Sequence, residues 1–242
     1  MRPQLVLLHG FTHTGASWDP LIAALGERYR ALAPDIRGHG SASDREPVTL
    51  EAVLGDIDAA APGPFTLAGY SMGGRIALHA ALSPSLAGRL ERLVLIGASA
   101  GIADEAERAA RRATDERLAE EIEAGTIEEF ALRWAATPVL AGQSAEVEEA
   151  VHADRMRNGP AGLARALRGL GTAALPPLWD RLGELRVPAT LVVGARDRKF
   201  RAVASEMASV IGDAEVVVVP GAGHAVHLEA PTRVARLIAE PL

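Results

Sequence analysis

Short apolar runs alternate with amphipathic stretches along most of this 242-residue chain. The apolar runs are nearly continuous, as expected of strands that helices cover on both faces. They are Leu5–Leu8, Tyr29–Ala33, Phe65–Ala68, Arg92–Ile96, Thr190–Val193 and Glu215–Val219. The stretches between them predict helices at Ala16–Gly26, Leu50–Ala61, Met72–Ser83, Arg201–Ile211 and Pro231–Ala239. This alternation predicts a doubly wound, mostly parallel α/β sheet.

The alternation stops between about residues 100 and 183, where the sequence predicts only helices. Asp104–Ala124 is the clearest, because Ala, Glu and Arg dominate it and opposite charges recur at helical spacing. The other predicted helices are Ile127–Ala136, Ala145–Arg157 and Ala161–Leu170. An all-helical insertion before the last two strands is typical of a cap. We therefore divide the chain into a first core part at 1–99, a helical cap at 100–185 and a second core part at 186–242.

Composition and charge exclude several classes of protein. No apolar run approaches the ~18 residues of a membrane-spanning helix, and Met1 leads almost directly into an apolar strand without a signal-like n-region. The absence of Cys excludes disulfides, thiolate metal sites and a Cys nucleophile. The net charge of −6 argues against nucleic-acid binding. We expect a cytoplasmic protein, monomeric or weakly self-associating.

Arginine supplies almost all of the positive charge, because only Lys199 among the 25 basic residues is lysine. Two interpretations are open. The excess can reflect coding preference, or some guanidinium groups can bind carboxylates through their bidentate fork.

The segment Gly69-Tyr70-Ser71-Met72-Gly73 follows a predicted strand and opens a predicted helix. This is the setting of a nucleophile elbow, in which a sharp turn raises the serine Oγ above the sheet. Such an elbow requires an acid and then a histidine later in the chain. Asp197 and His224 each follow a later strand, at the sheet edge where catalytic residues lie.

Each of these residues also has a structural interpretation. Asp197 could simply cap a helix, and His224 could be an ordinary loop histidine. His9, His39 and His227 are the other histidines near the predicted edge, and we interpret all three as structural. The backbone N–H groups of Phe11, after the first strand, and Met72, after the serine, predict an oxyanion hole.

These motifs resemble those of the α/β-hydrolase superfamily, and the match extends through the cap. The residues that carry it are HGF, DIRGHG, GYSMGGR, GARD and GAGH in the core, and ERAARRATD, RMRNGPAG and LRGLG in the cap. The whole pattern is similar to the 2-succinyl-6-hydroxy-2,4-cyclohexadiene-1-carboxylate synthase family of menaquinone biosynthesis. Ala100-Gly101 departs from it, since Pro-Gly is common there.

The resemblance implies a lyase with an α/β-hydrolase fold. Such an enzyme eliminates pyruvate from an enolpyruvyl-cyclohexene tricarboxylate, a small anionic substrate, and needs neither cofactor nor metal. It implies that Ser71, His224 and Asp197 abstract a proton, and that Arg75, Arg111, Arg155, Tyr70 and Trp134 bind substrate. Helical periodicity alone does not separate Arg111 from Arg112, or Arg155 from Arg157.

Two other functions remain open at this point. The same triad would serve a serine hydrolase, either an esterase or a carbon–carbon bond hydrolase, because fold and triad do not determine the reaction. A binding protein without catalysis is the second, although such proteins commonly lose the nucleophile or its base.

Overall fold

A computed structural model describes residues 2–240 and contains a single six-stranded sheet in this range. The strands are β1 (Gln4–Leu8), β2 (Arg30–Leu32), β3 (Phe65–Tyr70), β4 (Leu90–Ile96), β5 (Ala189–Gly194) and β6 (Ala214–Val219). Their order is β2-β1-β3-β4-β5-β6, and every neighbouring pair is parallel. The predicted doubly wound α/β sheet is confirmed.

Helices join the strands and cover the sheet. They are α1 (Asp19–Leu25), α2 (Leu50–Ala60), α3 (Met72–Ala81), α4 (Glu105–Ala124), α5 (Ile127–Ala135), α6 (Ala145–Arg155), α7 (Pro160–Leu170), α8 (Arg198–Ala208), α9 (Val226–Glu229) and α10 (Pro231–Ala239). Among residues 2–240, no helix combines the length and apolarity needed to cross a membrane.

Two helices begin three residues away from their predicted starts, whereas α4 and α7 each begin one residue away. The first was predicted from Ala16, but Gly15–Trp18 forms a 3₁₀ turn and α1 begins only at Asp19, with Pro20 in its first turn. The helix after β5 was predicted from Arg201. It begins at Arg198, because the Asp197 side chain accepts a hydrogen bond from the Phe200 amide and so caps it.

The sheet is buried on both faces, because successive side chains of a strand point to opposite sides. In β1, Val6 and Leu8 pack into the core beneath α2, α3 and α8, whereas Leu5 and Leu7 pack beneath α1 and α10. This explains why the strands read as continuous apolar runs. Because helices cover both faces, we expect the functional residues of the core to lie in the loops at the carboxyl edge of the sheet.

The segment between β4 and β5 carries α4 to α7 and no strand. These helices have an apolar cluster of their own, built on Ile122, Phe130 and Leu163. Phe11, from the loop after β1, and Trp134 pack against this cluster. The helical cap thus lies over the carboxyl edge of the sheet.

Candidate active site

Ser71 stands in a strained turn between β3 and α3. Its φ of 51° lies in the left-handed region, which non-glycine residues rarely adopt. The glycines around it allow this tight turn. A Cβ at Gly73 would lie 2.2 Å from the Leu8 carbonyl oxygen, and one at Gly69 would lie 2.4 Å from that of Gly73. These close approaches give the nucleophile-elbow motif a steric basis.

The structure brings Ser71, His224 and Asp197 together. His224 Nδ1 lies 2.7 Å from Asp197 Oδ2, and His224 Nε2 lies 3.4 Å from Ser71 Oγ. A carboxylate only accepts, so Nδ1 carries the proton and Nε2 is free to accept from the serine hydroxyl. The second Asp197 oxygen, Oδ1, accepts the Phe200 amide at 3.1 Å. One carboxylate therefore both caps a helix and orients the histidine.

Electrostatics support an ionised Asp197. Burial alone would raise the pKa of this carboxyl group, but hydrogen bonds from His224 and the Phe200 amide outweigh burial. The resulting pKa lies below the ordinary value. Asp197 therefore carries a negative charge near neutral pH and would stabilise a protonated His224.

Packing fixes the His224 ring. The Phe200 ring lies 4.4 Å from it and the Tyr70 ring 5.3 Å, measured between centroids. Gly97 has a φ of +55°, and a Cβ there would lie 2.9 Å from His224 Cε1. A side chain at position 97 would displace the histidine.

His9, His39 and His227 have structural surroundings. His9 Nε2 accepts the Ile36 amide at 2.9 Å, so its Nδ1 donates to the Gly10 carbonyl, and burial lowers its pKa to about 4. The His39 ring packs edge-on against His9. His227 is fully buried beside Tyr70, 4.3 Å away between ring centroids. These contacts support the structural interpretation of all three.

Ser71 faces a cavity of about 110 Å³ between the core and the cap. Its lining residues are Phe11, Ser71, Met72, Arg75, Arg111, Asp115, Leu118, Trp134, Leu167, Gly171 and Thr172. Both residues predicted to form the oxyanion hole are among them. The Met72 amide belongs to the first turn of α3, where N–H groups lack an intrahelical acceptor.

Arg75 is one of two cations in the cavity. Arg75 is only 6% exposed, and its Nη2 donates to Thr172 Oγ1 at 2.8 Å. Its Nε and Nη1 are buried and have no hydrogen-bond partner among the described residues. Burial, and then the charge of Arg111, lower its pKa to about 10, so it remains protonated at neutral pH. An anionic group is what such a guanidinium lacks.

The structure distinguishes Arg111 from Arg112. Arg111 lines the cavity, and its Nε donates to Asp115 Oδ1, one helical turn later, at 2.7 Å. Arg112 instead donates to the Ala173 carbonyl and does not line it. Trp134, also in the lining, packs edge-on against Phe11 with 5.3 Å between ring centroids.

Arg155 and Tyr70 lie outside this cavity. Arg155 is 3% exposed, and its Nε donates to Thr12 Oγ1 at 3.3 Å, whereas Arg157 is mostly exposed. Burial raises the pKa of Tyr70, and the charge of nearby Arg155 partly opposes this shift. Arg75 and Arg111 therefore meet beside Ser71, and Arg155 lies apart from them with Tyr70.

Sequence reasoning missed a group of cap residues that holds the loop after β1. Asp154 of α6 accepts the Thr14 amide at 2.9 Å, the Thr14 hydroxyl and His13 Nδ1 at 3.2 Å. Asn158 donates to the carbonyl of Thr12, whose φ is 73°. No sequence signal links these residues, since about 140 positions separate the two segments.

Asp115 was also missed, although a signal existed. It lies four residues after Arg111 on a predicted helix, the spacing at which an acid and an arginine meet.

Among residues 2–240, no group of three or more His, Asp or Glu side chains is arranged to hold a metal ion.

Comparisons with known proteins agree with this fold. A model of the α/β hydrolase family matches residues 5–237. A 2-succinyl-6-hydroxy-2,4-cyclohexadiene-1-carboxylate synthase from Salmonella schwarzengrund (strain CVM19633) is 36% identical over 253 residues, covering 99% of this chain and 94% of that protein. Protein PHYLLO, chloroplastic, from Arabidopsis thaliana is 32% identical over 256 residues, covering 95% of this chain and 15% of that protein. The structure of MenH from S. aureus has a TM-score of 0.92 at 30% identity, covering 98% of this chain and 91% of that one.

Proposed function

The chain belongs to the α/β hydrolase family, among its 2-succinyl-6-hydroxy-2,4-cyclohexadiene-1-carboxylate synthases, and on that basis we propose that it forms this product by eliminating pyruvate. The substrate is an enolpyruvyl-cyclohexene that carries three carboxylates. The observation that carries the proposal is the position of Ser71 in one cavity with two guanidinium groups, those of Arg75 and Arg111. That combination suits proton abstraction from an anion.

In the proposed mechanism, Ser71 is the base. His224, held by Asp197, accepts the Ser71 hydroxyl proton, and the serine oxygen removes the ring proton next to the succinyl carbonyl. The Phe11 and Met72 amides stabilise the negative charge that develops on that carbonyl oxygen. The electrons then form the diene while the carbon–oxygen bond to the enolpyruvyl group breaks and the enolate of pyruvate leaves. The proton held by His224 passes to this enolate and gives pyruvate, which returns His224 to its neutral form. No water is consumed.

The 3.4 Å between Ser71 Oγ and His224 Nε2 is at the outer limit of a hydrogen bond. Catalytic hydrogen bonds commonly shorten when substrate binds, so this distance is compatible with proton transfer. Arg75 and Arg111 then bind one carboxylate beside Ser71. Arg155, with Tyr70, binds another.

Pyruvate release from the purified protein and the enolpyruvyl substrate tests the proposal. Coupling the release to lactate dehydrogenase should show turnover that Ser71→Ala removes. Arg111→Gln should lower kcat/KM by about 10–100-fold, the effect of a lost charge-assisted hydrogen bond. Its neighbour Arg112→Gln is the matched control and should stay within about twofold, because Arg112 bonds only the Ala173 carbonyl. No pyruvate above background would refute the proposal.

A serine hydrolase is the second candidate, because the elbow, the histidine and the acid are also the parts of an acyl-enzyme mechanism. The cavity argues against it. Two guanidinium groups would have to lose water for an apolar ester and receive no anion in return. Turnover of short p-nitrophenyl esters should therefore be slow, and rapid turnover would favour the hydrolase.

A further inference from the structure

The cavity beside Ser71 contains a carboxylate as well as two cations. Asp115 is 6% exposed, and one of its oxygens, Oδ1, accepts Arg111 Nε at 2.7 Å. The other, Oδ2, is buried and has no hydrogen-bond partner among the described residues. It lies on the Gly171 side of the cavity, 3.2 Å from where a Cβ on that residue would lie. A buried carboxylate oxygen is strongly disfavoured unless a donor reaches it.

The cavity therefore presents two kinds of unsatisfied group. Arg75 offers N–H donors from Nε and Nη1, which suit a carboxylate, whereas Asp115 Oδ2 offers only an acceptor. A second carboxylate would be repelled by Asp115, and an apolar group would leave its oxygen unsatisfied. A ligand that satisfies both sides has a carboxylate for Arg75 and a hydroxyl group for Asp115.

From this arrangement we propose that Asp115 accepts a hydrogen bond from a ligand hydroxyl, and that the cavity recognises a β-hydroxy carboxylate. The cavity of about 110 Å³ is well below the ~300–1,000 Å³ of pockets that enclose a whole drug-sized ligand, so it fits one edge of a ring. The 1-carboxylate and 6-hydroxyl in the name of the relatives' product occupy adjacent ring carbons. The spacing of the hydroxyl group from the carboxylate, and the assignment of that edge to this cavity, rest on the proposed function, whereas the need for both groups does not.

The test uses two probes that differ in one hydroxyl group. Binding of 2-hydroxycyclohexane-1-carboxylate (both the cis and the trans isomer) and of cyclohexanecarboxylate is titrated by NMR. The wild-type protein should bind one hydroxylated isomer at least about tenfold more tightly, as expected of a hydrogen bond to a charged group. If neither isomer binds more tightly than the plain acid, the proposal is wrong, and this result needs no variant.

Variants separate hydrogen bonding to the ligand from support of Arg111. In Asp115→Ala the preference for the hydroxylated isomer should fall to within about twofold, and in Asp115→Asn it should weaken, because the charge is lost while the size is kept. If Asp115 only held Arg111 in place, both probes would weaken equally and their ratio would stay at the wild-type value, which would overturn the proposal. Circular dichroism verifies that each variant is folded.

Glu116→Gln is the matched control, since it removes the next carboxylate of α4, which contacts Arg168 away from the cavity. Its probe ratio should equal the wild-type ratio. A fall as large as that of Asp115→Ala would assign the effect to overall charge and refute the proposal. Pyruvate release is measured separately, so failure of the proposed elimination with an intact hydroxyl preference would leave this inference standing.

Discussion

Replacing Asp154 with Asn removes the negative charge through which α6 holds the loop after β1. Burial alone would raise the pKa of this carboxyl group, but hydrogen bonds from His13 and Thr14 lower it to about 2 from an ordinary 3.8. That difference corresponds to about 2 kcal/mol of stabilisation at pH 7. We expect Asp154→Asn to lose about 2 kcal/mol of unfolding free energy there.

The effect depends on pH in a definite direction. Because the pKa is lower in the folded protein, the stabilisation is fully present above pH ~5 and is lost as the pH falls through about 2. Linkage leaves about 1 kcal/mol of this stabilisation at pH 3. Asn does not titrate, so the stability gap between wild type and Asp154→Asn should narrow by about 1 kcal/mol between pH 7 and pH 3.

Urea unfolding, followed by tryptophan fluorescence across this pH range, measures the gap. Glu149→Gln is the matched control, because Glu149 is an exposed carboxylate on the same helix. It should change stability by less than about 0.5 kcal/mol at any pH. A gap for Asp154→Asn that does not vary with pH would refute the electrostatic reasoning. Asp154→Asn should also affect catalysis, because the proposed oxyanion-hole residue Phe11 directly precedes Thr12 in the loop that Asp154 holds. In this variant the kcat of pyruvate release should fall by a larger factor than KM rises.

Three further changes follow from the site. Asp197→Asn should lower kcat for pyruvate release by about 10²–10⁴-fold, because the carboxylate that orients His224 is lost. An unchanged kcat would show that Asp197 does not assist proton abstraction. Gly97→Ala should cost about 1–3 kcal/mol in urea unfolding, because of its φ of +55° and the contact with His224, whereas Gly55→Ala, exposed within α2 and free of contacts, should gain about 0.5–1 kcal/mol. Equal effects at the two glycines would contradict this. Arg155→Lys should lower kcat/KM by about 10–100-fold and Arg157→Lys by less than twofold; the reverse order would reassign the inward arginine.

The strands of the sheet could be predicted from the sequence, because each strand is buried on both faces and therefore forms an unbroken apolar run. The proximity of Ser71, Asp197 and His224 could also be predicted, because parallel strands place the loops that follow them along one edge. Helix ends were less predictable. The start of α8 depends on which side chain caps it, and the Asp197 carboxylate does so in addition to contacting His224.

Contacts between the cap and the core were beyond sequence reasoning. Choosing Arg111 over Arg112 depends on how α4 is rotated against α7, and packing decides that rotation. The Asp154–Thr14 contact joins residues 140 positions apart, and neither lies in a recognisable motif. Asp115 had a visible helical partner in Arg111, but its free oxygen is apparent only once the surrounding side chains are in place.

The parallel sheet also places the candidate active site and the two ends of the described chain at opposite edges. The side chains of the triad follow the carboxyl ends of β3, β5 and β6. Both ends of the described chain lie at the opposite, amino edge of the sheet. This edge is about 20 Å away, because a strand of six residues rises ~3.3 Å per residue. Gln4 begins β1 there, and the carbonyl of Ile238 accepts a hydrogen bond from Arg92, near the start of β4. Polypeptide added at either end would emerge on the side opposite to the cavity. This architecture allows the unit to be built into a longer chain, such as that of the plant relative, without obstructing access to Ser71.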